Sequence, residues 1–227
     1  MKLSFTSANN FKTCKKKFFH TYVARDVSFD FTPAMEHGIR VHKAFEDRLK
    51  KGHSFAGEFS HYEPFVRALF DAKNEDMLML IEQRLAVRAD GTPCGSFDTD
   101  CFWNGRVDVA LCGDKACVIF DWKTGKERED PWELQVQAVL VYAAYPHLKV
   151  FKGHYVWLKN DAVGESHDLS DLHLTWTEMK ALHQMVQRSL DTNYFPEQEG
   201  PLCKFCPVYQ CQFNKTEKPS VAPVVVK

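Results

Sequence analysis

The sequence lacks the features of a membrane or exported protein. No run of eighteen apolar residues occurs in the 227-residue chain, so no membrane-spanning helix is expected. The N-terminal stretch MKLSFTSANNFKTCKKK has no apolar segment of the length found in signal peptides. We therefore expect a cytoplasmic protein, whose eight cysteines bind metal or are simply buried rather than paired in disulfides.

A strong excess of charge of either sign is also missing. The formal net charge is −1 at pH 7, so any affinity for nucleic acid has to come from local patches. The chain contains no internal repeat and no long low-complexity segment. With 44% hydrophobic residues it is long enough for one large core and short for two full domains. We expect one α/β domain over 1–214 and a mobile tail over 215–227.

Hydrophobic periodicity predicts helices toward both ends of the chain and strands in its middle. Aromatic residues at helical spacing favour a first helix over 4–23. Further helices are predicted over 33–51, 64–76, 130–144 and 175–192, and strands over 78–88, 97–103, 105–112, 116–123 and 154–159. The short turns between the middle strands are typical of a mostly antiparallel meander.

The most informative stretch is GRVDVALCGDKACVIFDWKTGK, which reads as strand, tight turn and strand. A turn at Asp114-Lys115 places Asp108 directly opposite Asp121, and a turn one residue earlier offsets them by two. In both cases the two carboxylates and Lys123 share one face, because side chains alternate along a strand. The alternative without a functional site is a surface hairpin with solvated charges and one Asp–Lys ion pair.

Two carboxylates and an ammonium group on one face suit a particular chemistry. Carboxylate oxygens bind Mg²⁺ or Mn²⁺, which keep waters that a phosphate can displace. Such a metal lowers the pKa of a bound water, and a lysine beside it can orient that water or stabilise developing negative charge.

Three polar groups outside this hairpin could complete a site. His42 and Glu46 lie one turn apart on one helical face, as a metal ligand with its partner or as a simple intrahelical hydrogen bond. Glu133 and Gln137 form a second such pair, although Glu133 also fits a capping box with N-cap Asp130. Glu82 is a carboxylate in an apolar run, where it needs a partner and gives only a weak site signal.

Three cysteines cluster near the C-terminus in the pattern C-x2-C-x4-C, formed by Cys203, Cys206 and Cys211. This spacing indicates a metal site, but it lacks one ligand for a tetrahedral centre. The remaining cysteines have no metal-like spacing, apart from Cys14 in the first predicted helix, which is considered below; they are Cys94, Cys101, Cys112 and Cys117.

The motifs in their order resemble those of the RecB-like branch of the PD-(D/E)XK nuclease superfamily. They are GxxxHxxxE at 38–46, GRVD at 105–108 and DWK at 121–123, and the resemblance covers residues from about 4 to 214. It implies a mixed central sheet flanked by helices and a divalent-metal-dependent DNA nuclease. An exonuclease is favoured over an endonuclease, because the family leans toward enzymes that process DNA ends.

The resemblance also implies roles for individual residues. Asp108 and Asp121 become metal ligands, with His42 on or close to the metal and the carbonyl of Trp122 as a further ligand. Lys123 becomes the catalytic lysine. Glu46 supports His42. The family often has Gln-xxx-Tyr on the next helix, and this chain departs from it, with Glu133 and Gln137, or Gln135 in a shifted register, at the matching positions.

Some RecB-like nucleases hold a 4Fe-4S cluster with one N-terminal cysteine and three near the C-terminus. The chain resembles them at Cys14, Cys203, Cys206 and Cys211, which implies a cluster that joins the segment 196–214 to the helix 4–23. Four thiolates also suit structural zinc, and unrelated buried thiols are the third alternative.

Candidate DNA contacts are basic residues that could meet phosphates, or equally form an ordinary solvated face: Lys15, Lys16, Lys17, Arg40 and Lys43. The same fold is compatible with two other functions. One is a nuclease that trims DNA during CRISPR adaptation in complex with an integrase, and replication or recombination proteins are further candidate partners. The other is a non-catalytic DNA-binding scaffold, against which the intact Asp108, Asp121 and Lys123 argue.

Overall fold

The structure is a computed structural model that describes residues 1–27, 32–127 and 130–216. The chain divides into two compact units, one formed by Met1, Leu3–Phe31 and Ala181–Lys227, and the other by Lys2 and Thr32–Lys180. The predicted mobile tail lies, from residue 217 on, outside the described residues. A search of the described helices finds none that combines the length and the apolar character needed to span a bilayer.

A mixed six-stranded sheet forms the centre of the larger unit, as predicted. Its strands are β1 (Leu78–Val87), β2 (Trp103–Cys112), β3 (Ala116–Lys123), β4 (Val150–Trp157), β5 (Ala162–Val163) and β6 (His167–Asp168). The order is β1-β2-β3-β4-β5, and β6 also pairs with β4. The first three strands form the expected antiparallel meander. β4 joins β3 in parallel, which requires the crossover provided by helix α5 (Trp132–Ala144).

Helices cover both faces of strand β3. On one face, helices α3 (Pro33–Lys51) and α4 (Glu63–Ala72) contribute to an apolar cluster in which Phe45 stacks on Trp122, with ring centroids 4.4 Å apart. The neighbouring residue Asp121 points to the other face, where it accepts a hydrogen bond from Gln137 of α5. The alternation of Asp121 and Trp122 therefore separates the polar site from the apolar core.

The first predicted helix is wrong as a single element, because it breaks at Cys14. Helices α1 (Phe5–Thr13) and α2 (Lys15–Phe18) are followed by a π-helical turn over Phe19–Ala24. Cys14 is extended, with φ −162° and ψ 111°, and its sulfur accepts the backbone N–H of Lys17 as the N-cap of α2. The break thus places one thiol between two helices. The last helix, α6, spans Leu172–Asp191, close to its predicted range.

Two further expectations are wrong. Residues 97–102 form turns rather than a strand, and Arg88 organises this loop through ion pairs with Asp98 and Asp100. The capping box at α5 is absent: the N-cap is Pro131, and the Glu133 carboxylate is bound to Lys123 instead. In both cases a side chain is drawn to a charged partner that periodicity does not reveal.

We predict that Phe45→Ala lowers the free energy of unfolding by about 3–5 kcal/mol, because it leaves a cavity against Trp122. Urea denaturation followed by tryptophan fluorescence measures this change. Ile39→Ala in the same helix is the control, since Ile39 is 56% exposed and its loss should change stability by less than about 0.5 kcal/mol. Equal losses for both variants would contradict the assigned core.

Candidate active site

The hairpin between β2 and β3 brings the two predicted aspartates together. The turn lies at Asp114-Lys115, since Cys112 pairs with Cys117 and the N–H of Gly113 bonds to the carbonyl of Ala116 at 2.9 Å. This register sets Asp108 opposite Asp121, one position beyond the last paired residues of the two strands. Both carboxylates are buried, with exposed fractions of 6% and 3%.

The Asp108 carboxylate connects three elements of the larger unit. Its Oδ2 accepts the backbone N–H of Trp122 in β3 at 2.9 Å, and its Oδ1 lies 3.4 Å from Nδ1 of His42 in α3. Burial and the charge of Asp121 raise the pKa of Asp108 above its ordinary value, although His42 opposes the shift. Such a buried acid, next to another, is costly to leave without a cation.

Glu82 is the residue of this site that the sequence indicates most weakly. It lies opposite Asp108 in the β1–β2 ladder, between the paired residues Ile81 and Gln83, and its φ of +47° is unusual for a strand residue that is not glycine. Its side chain is 5% exposed, and its carboxylate lies 3.4 Å from His42 and accepts a hydrogen bond from Arg106 at 3.0 Å. The only sequence signal was a carboxylate in an apolar run.

His42, Glu82 and Asp108 together form a group that suits a metal ion. One ligand atom from each lies within 4.8 Å of the other two. Burial disfavours the charged imidazole, but the hydrogen bonds to Asp108 and Glu82 outweigh it and raise the pKa of His42 to about 10. Nδ1 of His42 lies 3.4 Å from each of the two carboxylates, so a divalent cation held by these atoms would compete with a proton on the imidazole.

Lys123 lies beside this group on the α5 side. Its ammonium is 2.5 Å from Asp121 and 2.7 Å from Glu133, and it stands 5.5 Å from the centre of the Tyr155 ring. Burial disfavours its charge, but Asp121 and Glu133 raise the pKa of Lys123 well above its ordinary value. Burial and the charge of Asp121 also raise the pKa of Glu133. The two carboxylates thus favour the charged form of Lys123.

Helix α5 supplies a second polar side chain. The amide Nε2 of Gln137 donates to Asp121 at 2.8 Å, so the predicted pair Glu133 and Gln137 both reach the hairpin. The Gln137 Oε1 is buried and has no hydrogen-bond partner among the described residues. An orphaned buried acceptor of this kind fits a site that water, metal or substrate completes.

Several predicted residues are not brought to this group. Glu46 pairs with Lys43 and Lys50 on the surface rather than with His42. Arg40 pairs with Glu58. Trp122 offers its backbone N–H to Asp108, and its role as a carbonyl ligand stays a prediction.

The basic run near the N-terminus has contacts of its own. Lys16 pairs with Glu197, and Lys15 lies over the ring of Phe11. The N–H of Lys17 bonds to the sulfur of Cys14. DNA binding by these lysines stays a prediction, as it does for Arg40 and Lys43.

The four cysteines assigned by resemblance line one cavity of about 120 Å³ in the smaller unit; they are Cys14, Cys203, Cys206 and Cys211. Two of the sulfurs accept backbone hydrogen bonds, Cys14 from Lys17 at 3.5 Å and Cys203 from Gly200 at 3.4 Å. The segments that carry the cysteines contact each other: the N–H of Lys16 bonds to the carbonyl of Pro196 at 3.2 Å.

A comparison with protein families decides the classification. The model of the PD-(D/E)XK nuclease superfamily matches residues 2–211, nearly the whole chain. The chain belongs to the PD-(D/E)XK nuclease superfamily. Nucleases of this superfamily use divalent metals, and the His42, Glu82 and Asp108 group offers the nitrogen and oxygen ligands that such an ion requires.

Solved structures agree with this fold. A provisional exonuclease from Eubacterium rectale is 12% identical, with a TM-score of 0.54 over 97% of this chain and 91% of its own. The protein SSO0001 is also 12% identical, with a TM-score of 0.51 over 95% of this chain and 88% of its own. Comparison with curated protein sequences gives no match.

We predict that Mn²⁺ raises the melting temperature of the protein and that Asp108→Ala weakens Mn²⁺ binding by about a hundredfold or more. Asp114→Ala, in the exposed turn, is the control and should bind like the unaltered protein. Isothermal titration calorimetry measures the affinities. The affinity should fall as the pH is lowered from about 8 to about 6, because protons held by His42 and Asp108 compete with the metal. Equal Mn²⁺ affinity in both variants would remove the assigned site.

Proposed function

We propose that the protein is a divalent-metal-dependent nuclease of the RecB-like branch that hydrolyses phosphodiester bonds in DNA. The observation that carries the proposal is the convergence of His42, Glu82 and Asp108 within 4.8 Å, beside the Asp121–Lys123 pair. The histidine supports the RecB-like assignment, because it comes from the GxxxHxxxE motif and contacts the GRVD aspartate directly. The enzyme acts in the cytoplasm.

His42, Glu82 and Asp108 would hold the metal, with Asp121 next to Asp108 as a further carboxylate. When bound, a divalent cation lowers the pKa of a coordinated water and offsets negative charge on a phosphate. Lys123 keeps its proton, so it orients the attacking water and stabilises negative charge that develops on the phosphate.

The residues of α5 hold this arrangement in place. Glu133 holds the Lys123 ammonium as its second carboxylate partner beside Asp121. Gln137 fixes the Asp121 carboxylate with its amide N–H and leaves its carbonyl oxygen free to accept from a water or a substrate group. The Glu133 and Gln137 pair thereby takes the place that Gln-xxx-Tyr occupies in the related pattern.

Exonuclease action is the favoured mode. The provisional name of the Eubacterium rectale protein supports it, since that protein shares the fold over nearly its whole length.

We predict that Lys123→Ala and Asp121→Ala each lower the rate of DNA hydrolysis on the order of 10²–10³-fold while the protein stays folded. End-labelled single- and double-stranded DNA, with Mg²⁺ or Mn²⁺, reports both the rate and the release of terminal nucleotides. Lys115→Ala in the hairpin turn is the matched control. Hydrolysis by Lys123→Ala at the unaltered rate would refute the catalytic assignment. Cleavage of circular DNA at the rate of linear DNA would refute the exonuclease mode.

We also propose that the cavity of the smaller unit holds a 4Fe-4S cluster and that the terminal segments belong to one nuclease domain with the rest of 1–214. Four thiols around one cavity, with N–H···S hydrogen bonds, support a soft metal centre. Among the described residues, the cysteines are not a group with ligand atoms within 4.8 Å. In a zinc site each sulfur lies about 2.3 Å from the metal, so the four sulfurs lie close to one another. The wider separation of the sulfurs in this cavity favours the larger 4Fe-4S cluster.

Anaerobically purified protein is expected to be brown, with broad visible absorption and matching amounts of iron and sulfide. Cys203→Ser should bleach this absorption and lower the melting temperature, whereas Cys94→Ser, outside the cavity, should do neither. A colourless protein with stoichiometric zinc would overturn the cluster assignment.

A further inference from the structure

We infer that Arg84 and Arg106 form a binding subsite for a phosphodiester group of the substrate strand, next to the phosphate that is hydrolysed. The inference rests on the proposed nuclease function and adds a substrate contact to it. The two arginines are direct partners in the β1–β2 ladder, one step of the pleat away from Glu82 and Asp108.

The two guanidinium groups lie on the face of the sheet that carries the site. Arg106 reaches diagonally across the ladder to the Glu82 carboxylate at 3.0 Å, so its guanidinium contacts one member of the His42, Glu82 and Asp108 group. Arg84 stands directly opposite Arg106, and opposite residues of an antiparallel pair point to the same side. Two residues along a strand span about 7 Å, which is comparable with the separation of neighbouring phosphates in a nucleic-acid strand.

Arg84 differs from the neighbouring arginines in its charge pairing. Between residues 32 and 127, each of the other arginines lies within 4 Å of a carboxylate; these are Arg40, Arg48, Arg67, Arg88 and Arg106. No carboxylate of the described residues lies within that distance of the Arg84 side chain, which is exposed.

Like charges placed directly opposite in a sheet destabilise the pair. A phosphate between Arg84 and Arg106 would remove this repulsion, and the planar guanidinium fork suits two phosphate oxygens at once. Arg106 would then connect the phosphate to Glu82 and so to the metal group. The purely structural explanation accounts for Arg106 through Glu82 but gives no reason for a second arginine opposite it.

The test compares Arg84→Gln with Arg67→Gln, a control on α4 whose side chain is 75% exposed. Fluorescence anisotropy measures binding of a labelled single-stranded oligonucleotide, with Ca²⁺ in place of Mg²⁺ to suppress cleavage. We expect Arg84→Gln to weaken binding about tenfold at low salt and to reduce the slope of log K against log salt by about 0.7. In the cleavage assay it should raise KM and leave kcat within about twofold. Its Mn²⁺ affinity, measured without DNA, should stay unchanged.

A second arm locates the phosphate. Single methylphosphonate groups, which are neutral, are placed in turn along the oligonucleotide. A methylphosphonate at one position beside the cleaved bond should weaken binding to the unaltered protein. The same substitution should not further weaken binding to Arg84→Gln. If Arg84→Gln binds, responds to salt and responds to the methylphosphonates like the unaltered protein, while that protein cleaves DNA, the subsite is refuted and the nuclease function stands. If the unaltered protein neither binds nor cleaves DNA, both proposals fail together.

Discussion

The buried carboxylate of Asp108 is the point at which the site and the fold depend on each other. It accepts the N–H of Trp122, whose indole is packed against Phe45 of α3, and it contacts His42 from the same helix. The apolar stacking therefore sets the position of the histidine relative to the acid. Because Asp108 also stands opposite Asp121, one side chain relates α3 to both strands of the hairpin. Replacing it changes packing, charge and ligand geometry at once.

Much of the sheet could be predicted because its strands carry regular patterns. The hairpin of β2 and β3 has a tight turn and alternating side chains, so its register followed from the sequence. Periodicity does not predict the loop after β1, because Arg88 orders it through ion pairs with Asp98 and Asp100, and such pairs produce no periodic pattern in the sequence. The helix break at Cys14 was missed for a similar reason: the aromatic spacing continues through a residue whose backbone is extended.

The candidate site was predictable where its residues belong to motifs and unpredictable where tertiary contacts decide. Asp108, Asp121 and Lys123 share one hairpin, so alternation alone brings them together. Helix spacing suggested a His42–Glu46 pair, yet Glu46 is held by two lysines and Glu82 takes its place. That exchange depends on how α3 is docked beside β1, which helical periodicity does not encode.

Glu82 also shows that local backbone preference and site chemistry disagree at one position. A residue at φ +47° in a strand is best accommodated by glycine, which carries no carboxylate. A redesign that maximised stability from backbone geometry alone would therefore remove a carboxylate from the His42, Glu82 and Asp108 group and free Arg106 from its partner. The strained backbone at Glu82 is therefore tolerated at a position where its carboxylate contacts both His42 and Arg106.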